Sequence, residues 1–143
     1  PQLARYFYRQ SLEERNHAMM MVQYMLDRDI PVAIPGIDPV RNDFATAIDP
    51  IALALAQEKQ VTADIEALFT AARSEGNPIG EQFMLWFLKE QVEEVASMNS
   101  LRTIADRAGS DWFQIEEHLA REAAGNASDN SAPEVAGGAL TSA

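Results

Sequence analysis

Apolar residues recur three and four positions apart along three long stretches of the chain, the spacing of helices that bury one stripe. In the first stretch, Leu3, Phe7, Gln10, Glu14, His17, Met21 and Tyr24 fall on one seam. The second seam reads Ile51, Leu55, Glu58, Thr62, Ile65 and Phe69, and the third Met84, Phe87, Gln91, Glu94, Met98 and Leu101. These patterns predict a helix over about 1–28, one from Asp49-Pro50 to about Ser74, and one over about 79–108 that stops before Gly109. Asp49 is expected as the N-cap of the second helix, with Pro50 at its first helical position. Glu75-Gly76-Asn77-Pro78 reads as a tight turn that sends the third helix back antiparallel to the second.

The remaining segments are shorter and less regular. Residues 29–49 carry Pro31, Pro35, Gly36 and Pro39, which bar a helix of useful length. In a bundle such a connection is a long crossover that lets successive helices run parallel; its alternation of Ile30, Val32 and Ile34 equally fits a short strand pairing with a second copy. Ser110 is placed to cap a fourth, short helix from Asp111 to about Glu122. Its Phe113, Ile115 and Leu119 would pack at an end of the bundle or on a neighbouring subunit. From Ala123 onward Gly, Ser, Asn, Ala and Pro dominate and no period survives. The chain therefore divides into a helical domain over 1–122 and a flexible C-terminal tail over 123–143, disordered or a docking segment.

Each helical seam is broken at its middle by polar side chains of metal-binding type. Glu14 and His17 stand three residues apart on one helix face, close enough to grip a single ion together. Glu58 interrupts the second seam, and Gln91 with Glu94 interrupts the third. A buried carboxylate needs a cation or a hydrogen-bond network to meet it. Three such interruptions at the middle of three helices would meet on one level of a bundle core. Carboxylate oxygens with one imidazole and one amide suit iron or manganese better than copper or structural zinc. Glu13, Glu90 and Glu93 flank the seams and deepen the negative field. Met19, Met20, Met21 and Met25 read as adaptable core packing rather than a cofactor box.

Composition narrows the partners. The chain has 143 residues, 47% of them hydrophobic, enough for one domain with a real core. A net charge of -11 speaks against nucleic acid and anionic membrane surfaces and in favour of cations. Cysteine is absent, so disulfides, thiolate nucleophiles and Cys-based zinc sites are excluded. No apolar run approaches the ~18 residues of a membrane span, and no secretory leader is evident, which leads to the expectation of a cytoplasmic protein. The triplet Asn126-Ala127-Ser128 fits a glycosylation sequon and is read as coincidental. There is no Gly-rich phosphate loop, and His17 and His118 give little support for a Ser-His-Asp triad. The chain opens on Pro1-Gln2-Leu3 without an initiator Met, which points to sequence upstream.

Taken in combination, Tyr6-Phe7, Glu13-Glu14-Arg15-Asn16-His17-Ala18, Gln57-Glu58-Lys59, Gly80-Glu81-Gln82-Phe83 and Trp86-Phe87-Leu88-Lys89-Glu90-Gln91-Val92-Glu93-Glu94 resemble a bacterial non-haem ferritin of the actinobacterial type. The resemblance covers essentially the whole chain. It implies an all-α, ferritin-like four-helix bundle with a long crossover and a short C-terminal helix, the family's first long helix lying before Pro1. It further implies a homo-oligomeric, 24-subunit cage that oxidises Fe(II) with O2 or H2O2 at a di-iron ferroxidase centre and stores the Fe(III) product as mineral. Carried across, Glu14 resembles the bridging carboxylate, His17 the imidazole ligand of the first iron, and Glu58 a ligand of the second. Gln91 resembles the residue that orients the oxygen-binding region, and Glu94 with Glu13, Glu90 and Glu93 the carboxylates of a third iron site. In the haem-binding sister family the third helix carries Glu-x-x-His, so Gln91-x-x-Glu94 leads to the expectation of no haem. Two other readings stand beside this one. One is a truncated ferritin-like assembly subunit without ferroxidase activity, its seam carboxylates hydrogen-bonded; the other is a different di-iron oxidase or peroxidase that leaves no mineral.

Overall fold

The computed structural model describes residues 1–46, 48–109, 111–122 and 131–140. Among the described residues there are four helices: α1 (Gln2–Asp27), α2 (Ile48–Ser74), α3 (Pro78–Ala108) and α4 (Trp112–Glu122). The described residues contain no strand, so the alternating Ile30, Val32 and Ile34 form none within the chain. The chain resolves into two compact units, Pro1–Val40 with Glu116–Ala143, and Arg41–Ile115.

The second unit is an antiparallel hairpin of α2 and α3. Its turn is built by hydrogen bonds that terminate α2: Gly76, at φ +63°, donates to Arg73 O at 3.1 Å, and Asn77 N–H donates to Ala72 O at 2.8 Å. This pair of bonds satisfies carbonyls that a helix end leaves open, and the left-handed turn residue is the glycine that adopts it without strain. Asn77 then caps α3 by accepting from Gly80 N–H at 3.0 Å, with Pro78 in the first helical turn. The helix thus begins one residue before the expected Ile79, because the cap and not the first apolar residue sets its start. Gly80 lies where α2 and α3 approach: a Cβ there would come within 3.1 Å of Ala72 Cβ and 2.8 Å of the Asn77 amide nitrogen.

The start of α2 corrects an expectation. Asp49 is not its N-cap; the helix begins at Ile48 and Asp49 lies in the first turn. Its carboxylate turns back to accept from Thr46 N–H at 2.9 Å, satisfying a backbone donor that precedes the helix. That bond from the Thr46 backbone holds the Asp49 carboxyl below its ordinary range.

The hairpin core follows the two predicted seams. Ile51 and Ile65 of α2 and Met84, Phe87, Gln91, Met98 and Leu101 of α3 are buried. Phe83 and Trp86 each meet Phe87 edge to face, with ring centroids 5.1 and 4.9 Å apart. Ile115 and Leu119 are buried as well, whereas Phe113 is 74% exposed, so of the three residues expected to pack at an end of the bundle or on a neighbouring subunit, Phe113 is not covered within the chain. Residues four apart share a helix face, and Phe113 lies off the stripe that Ile115 and Leu119 define. The expected Ser110 cap and the Asn126-Ala127-Ser128 triplet lie outside the described residues.

The first unit is carried by α1. Tyr6 and Met20 are its buried residues, while the seam from Leu3 to Tyr24 is half-buried. The helix closes as α2 does, with Asp29 N–H donating to Leu26 O at 3.1 Å and Ile30 N–H to Met25 O at 2.9 Å, but Asp29 holds the left-handed position at φ +55°. A side chain in that region costs about 1–2 kcal/mol, and an acidic one tolerates it better than most. Asp29→Gly is therefore expected to raise stability by roughly 0.5–1 kcal/mol, read as a higher denaturation midpoint in urea.

Two further contacts tie this unit together. The Glu116 carboxylate accepts from Gln2 N–H and, at 3.1 Å, from Leu3 N–H, donors that the first turn of a helix leaves without intrahelical partners. The bond from Gln2 is the main reason that the Glu116 carboxyl is held below its ordinary value of 4.5. A carboxyl lowered on folding contributes stability above its unfolded pKa and loses it as pH falls through the folded value. Protection of the Gln2 and Leu3 amides against hydrogen exchange should therefore drop as pH falls below about 4.5, and Glu116→Gln should remove that step. The second contact brings residues 131–140 onto α1. Asn16 donates through Nδ2 to Leu140 O and accepts through Oδ1 from Leu140 N–H, both at 2.9 Å. Ala136, buried, donates its N–H to Met19 O at 3.2 Å.

Candidate functional site

The sequence-predicted donors fall into two groups, one in each unit. On α1, His17 Nδ1 stands 3.7 Å from Glu14 Oε2, with the imidazole 15% and the carboxylate 44% exposed. The spacing is three residues along a helix, so both side chains leave from the same face and one turn separates them. At 3.7 Å the pair is too far apart for a strong hydrogen bond. Two ligands each ~2.1 Å from one ion can be up to ~4.2 Å apart, so the gap suits a shared first-row cation. Glu13 is half-buried beside them.

The second group bridges α2 and α3. Gln91 is 5% exposed, the one buried polar residue among those described. Its Nε2 donates to Glu58 O at 3.1 Å, to Thr62 Oγ1 at 3.2 Å and to Glu58 Oε2 at 3.4 Å. Thr62 in turn donates its hydroxyl to Glu58 O at 2.8 Å. Glu58 O can only accept, so the nitrogen of the Gln91 amide must face α2. Gln91 therefore meets α2 as a donor, to the Glu58 main chain and carboxylate alike.

Glu94 and Glu90 of α3 are half-buried and Glu93 is exposed. Among the described residues no group of three or more His, Cys, Asp or Glu stands close enough to hold a metal ion. What the structure brings together are two pairs, Glu14 with His17 and Glu58 with Gln91. Thr62 is the residue that sequence reasoning passed over. It was on the predicted seam, four residues after Glu58, but a hydroxyl there reads as seam packing until the amide it meets is known.

No described helix is long and apolar enough to cross a membrane. Residues 1–108 match the ferritin-like domain family. The chain is 63% identical over 140 residues to ferritin BfrB of Mycolicibacterium smegmatis, covering 98% of this chain and 77% of that protein. Ferritin BfrB of Mycobacterium tuberculosis is 54% identical over the same extent, and a non-haem ferritin of Staphylococcus aureus is 31% identical over 108 residues, 76% of this chain and 65% of that one. In three dimensions the chain superposes on a humanised archaeal ferritin with a TM-score of 0.79 over 82% of its length and 74% of the other, at 23% identity, a likeness of fold. An open-pore ferritin from Archaeoglobus fulgidus gives 0.72 over 82% of each chain, also at 23% identity. The all-α ferritin-like bundle implied by the resemblance is thus the fold observed, and the chain belongs to the ferritin family.

Proposed function

We propose that this chain is an iron-storage subunit that oxidises Fe(II) with O2 or H2O2 and retains the Fe(III) product as mineral within a homo-oligomeric cage, a 24-mer by resemblance. Membership of the ferritin family supports iron storage, and the Glu14–His17 pair carries the reading of catalysis. Its 3.7 Å gap suits one shared ion. Glu14, His17, Glu58 and Gln91 are the proposed residues of the ferroxidase centre. Glu94, with Glu13, Glu90 and Glu93, is proposed to bind further iron.

The chemistry asked of the protein is modest. Fe(II) arrives as substrate, and the redox change is its own. Carboxylate oxygens favour Fe(III) over Fe(II) because they are hard, anionic donors, so each oxidation is drawn toward product. His17 adds a neutral nitrogen donor, and Gln91 restrains the Glu58 carboxylate from one side. The surplus of acidic residues raises the local concentration of cations.

A second reading is favoured by a specific contact. Gln91 donates to Glu58, as expected for a seam carboxylate held by hydrogen bonds in an assembly subunit without ferroxidase activity. Aerobic Fe(II) oxidation, followed by absorbance and by iron retained after desalting, separates the two. Oxidation faster than buffer with retained iron, both lost in Glu14→Ala, is the expected result. Oxidation at the buffer rate would reject the ferroxidase reading, and fast oxidation without retained iron would reject storage.

A further inference from the structure

Gln91 has two amide protons, and three acceptors lie within reach of them. These are Glu58 O at 3.1 Å, Thr62 Oγ1 at 3.2 Å and Glu58 Oε2 at 3.4 Å. The carboxylate is the charged acceptor, and hydrogen bonds to charged groups are the shorter and stronger kind. Here it holds the longest of the three. Thr62 supplies a reason on two counts. Its single proton is committed to Glu58 O at 2.8 Å, so its oxygen can only accept from Gln91. The same hydroxyl keeps its place by that bond, since a side-chain oxygen bonded one turn back is fixed relative to the helix that carries Glu58.

We propose that Thr62 is a positioning residue for Glu58. By taking a share of the Gln91 amide protons, it stops Gln91 from closing on the carboxylate and so keeps this one bond to Oε2 weak when a cation competes with it. Without the Thr62 oxygen, two protons meet two remaining acceptors, and one of these is the carboxylate. Any metal ion binding Glu58 would then have to displace a strong hydrogen bond from a buried amide. The inference rests on the reading of Glu58 as a metal ligand and adds to it a residue that tunes the ligand's availability.

The test is equilibrium binding of Co(II), which does not turn over as Fe(II) does, to the full-length chain under anaerobic conditions. The sites counted are those lost in Glu58→Ala. Thr62→Val removes the oxygen while keeping the shape, and is expected to weaken Co(II) at these sites about five- to tenfold, the scale of one net hydrogen bond. Thr62→Ser should restore binding to within about twofold. In a Gln91→Met background Thr62→Val should have no effect, because Thr62 acts only through the amide. Unchanged Co(II) affinity in both Thr62→Val and Thr62→Ala, with Glu58→Ala still weakened, would overturn the role of Thr62 alone. So would a Thr62→Val effect of the same size in the Gln91→Met background. Unchanged binding in Glu58→Ala would overturn both the ligand reading of Glu58 and the role of Thr62. A lower unfolding midpoint at unchanged affinity would make Thr62 a packing residue only and also overturn the proposal.

Discussion

Glu58→Gln is expected to slow aerobic Fe(II) oxidation by at least ~10–100-fold, the range typical of losing even an outer-shell partner of a metal ligand. The unfolding midpoint should meanwhile move by no more than a few degrees. The substitution keeps the shape of the side chain and one acceptor oxygen, so Gln91 Nε2, 3.4 Å from the carboxylate, retains a partner. Its stronger bond to the Glu58 main chain at 3.1 Å is untouched. What disappears is the negative charge, on which a hard cation depends and an amide donor does not. Stopped-flow absorbance beside a thermal scan makes the comparison. A variant that oxidises Fe(II) at the parental rate would leave Glu58 a hydrogen-bonded seam residue and favour the assembly reading.

Leu101→Ala should carry the largest cost in stability, roughly 2–5 kcal/mol, seen as a fall of about 1 M or more in the urea midpoint. Leu101 is 1% exposed, and the buried residues that follow it on the same face of α3, Ala105 and Ala108, bring almost no side-chain volume. A void at 101 has little nearby to collapse into it, which places the expected loss in the upper part of that range. Phe113→Ala is the contrast. That ring is 74% exposed, and its removal should change stability by no more than about 0.5 kcal/mol. A loss at position 101 as small as that would show the α3 stripe to be more plastic than its burial implies.

The α2–α3 hairpin was legible in the sequence because its signals agree. The seam residues Ile51, Ile65, Met84, Phe87, Met98 and Leu101 are the ones buried, and Glu75-Gly76-Asn77-Pro78 supplies a helix stop, a left-handed turn and a cap in succession. On α1 the seam was less well defined. Tyr6 stands beside Phe7, and Met19, Met20 and Met21 are consecutive, so apolar residues occupy neighbouring angles and no single stripe is marked. The structure buries Tyr6 and Met20, each one position from the predicted line. At the start of α2, Asp49 was misjudged because its carboxylate accepts from the Thr46 N–H from inside the first turn, a bond that residue types alone do not reveal.

The candidate site was legible as residue types and illegible as relations. Polar side chains at the centre of apolar seams stand out in any helical reading, and that singled out Glu14, His17, Glu58, Gln91 and Glu94. Which atom of Gln91 faces α2, and that Thr62 shares its protons, depends on a partner 29 residues away in sequence. Periodicity carries no information about such pairing. The same holds for the contact between Asn16 and Leu140, separated by 124 positions and made by an exposed amide.

That last contact bears on which sequences the chain can tolerate. Asn16 grips the main-chain N–H and C=O of position 140 and makes no demand on the side chain there. Any residue with an N–H can be held in this way, and proline alone is barred, because it has no donor to offer. Position 140 is therefore free to drift in composition while keeping its place, and the constraint at this contact falls on Asn16 instead.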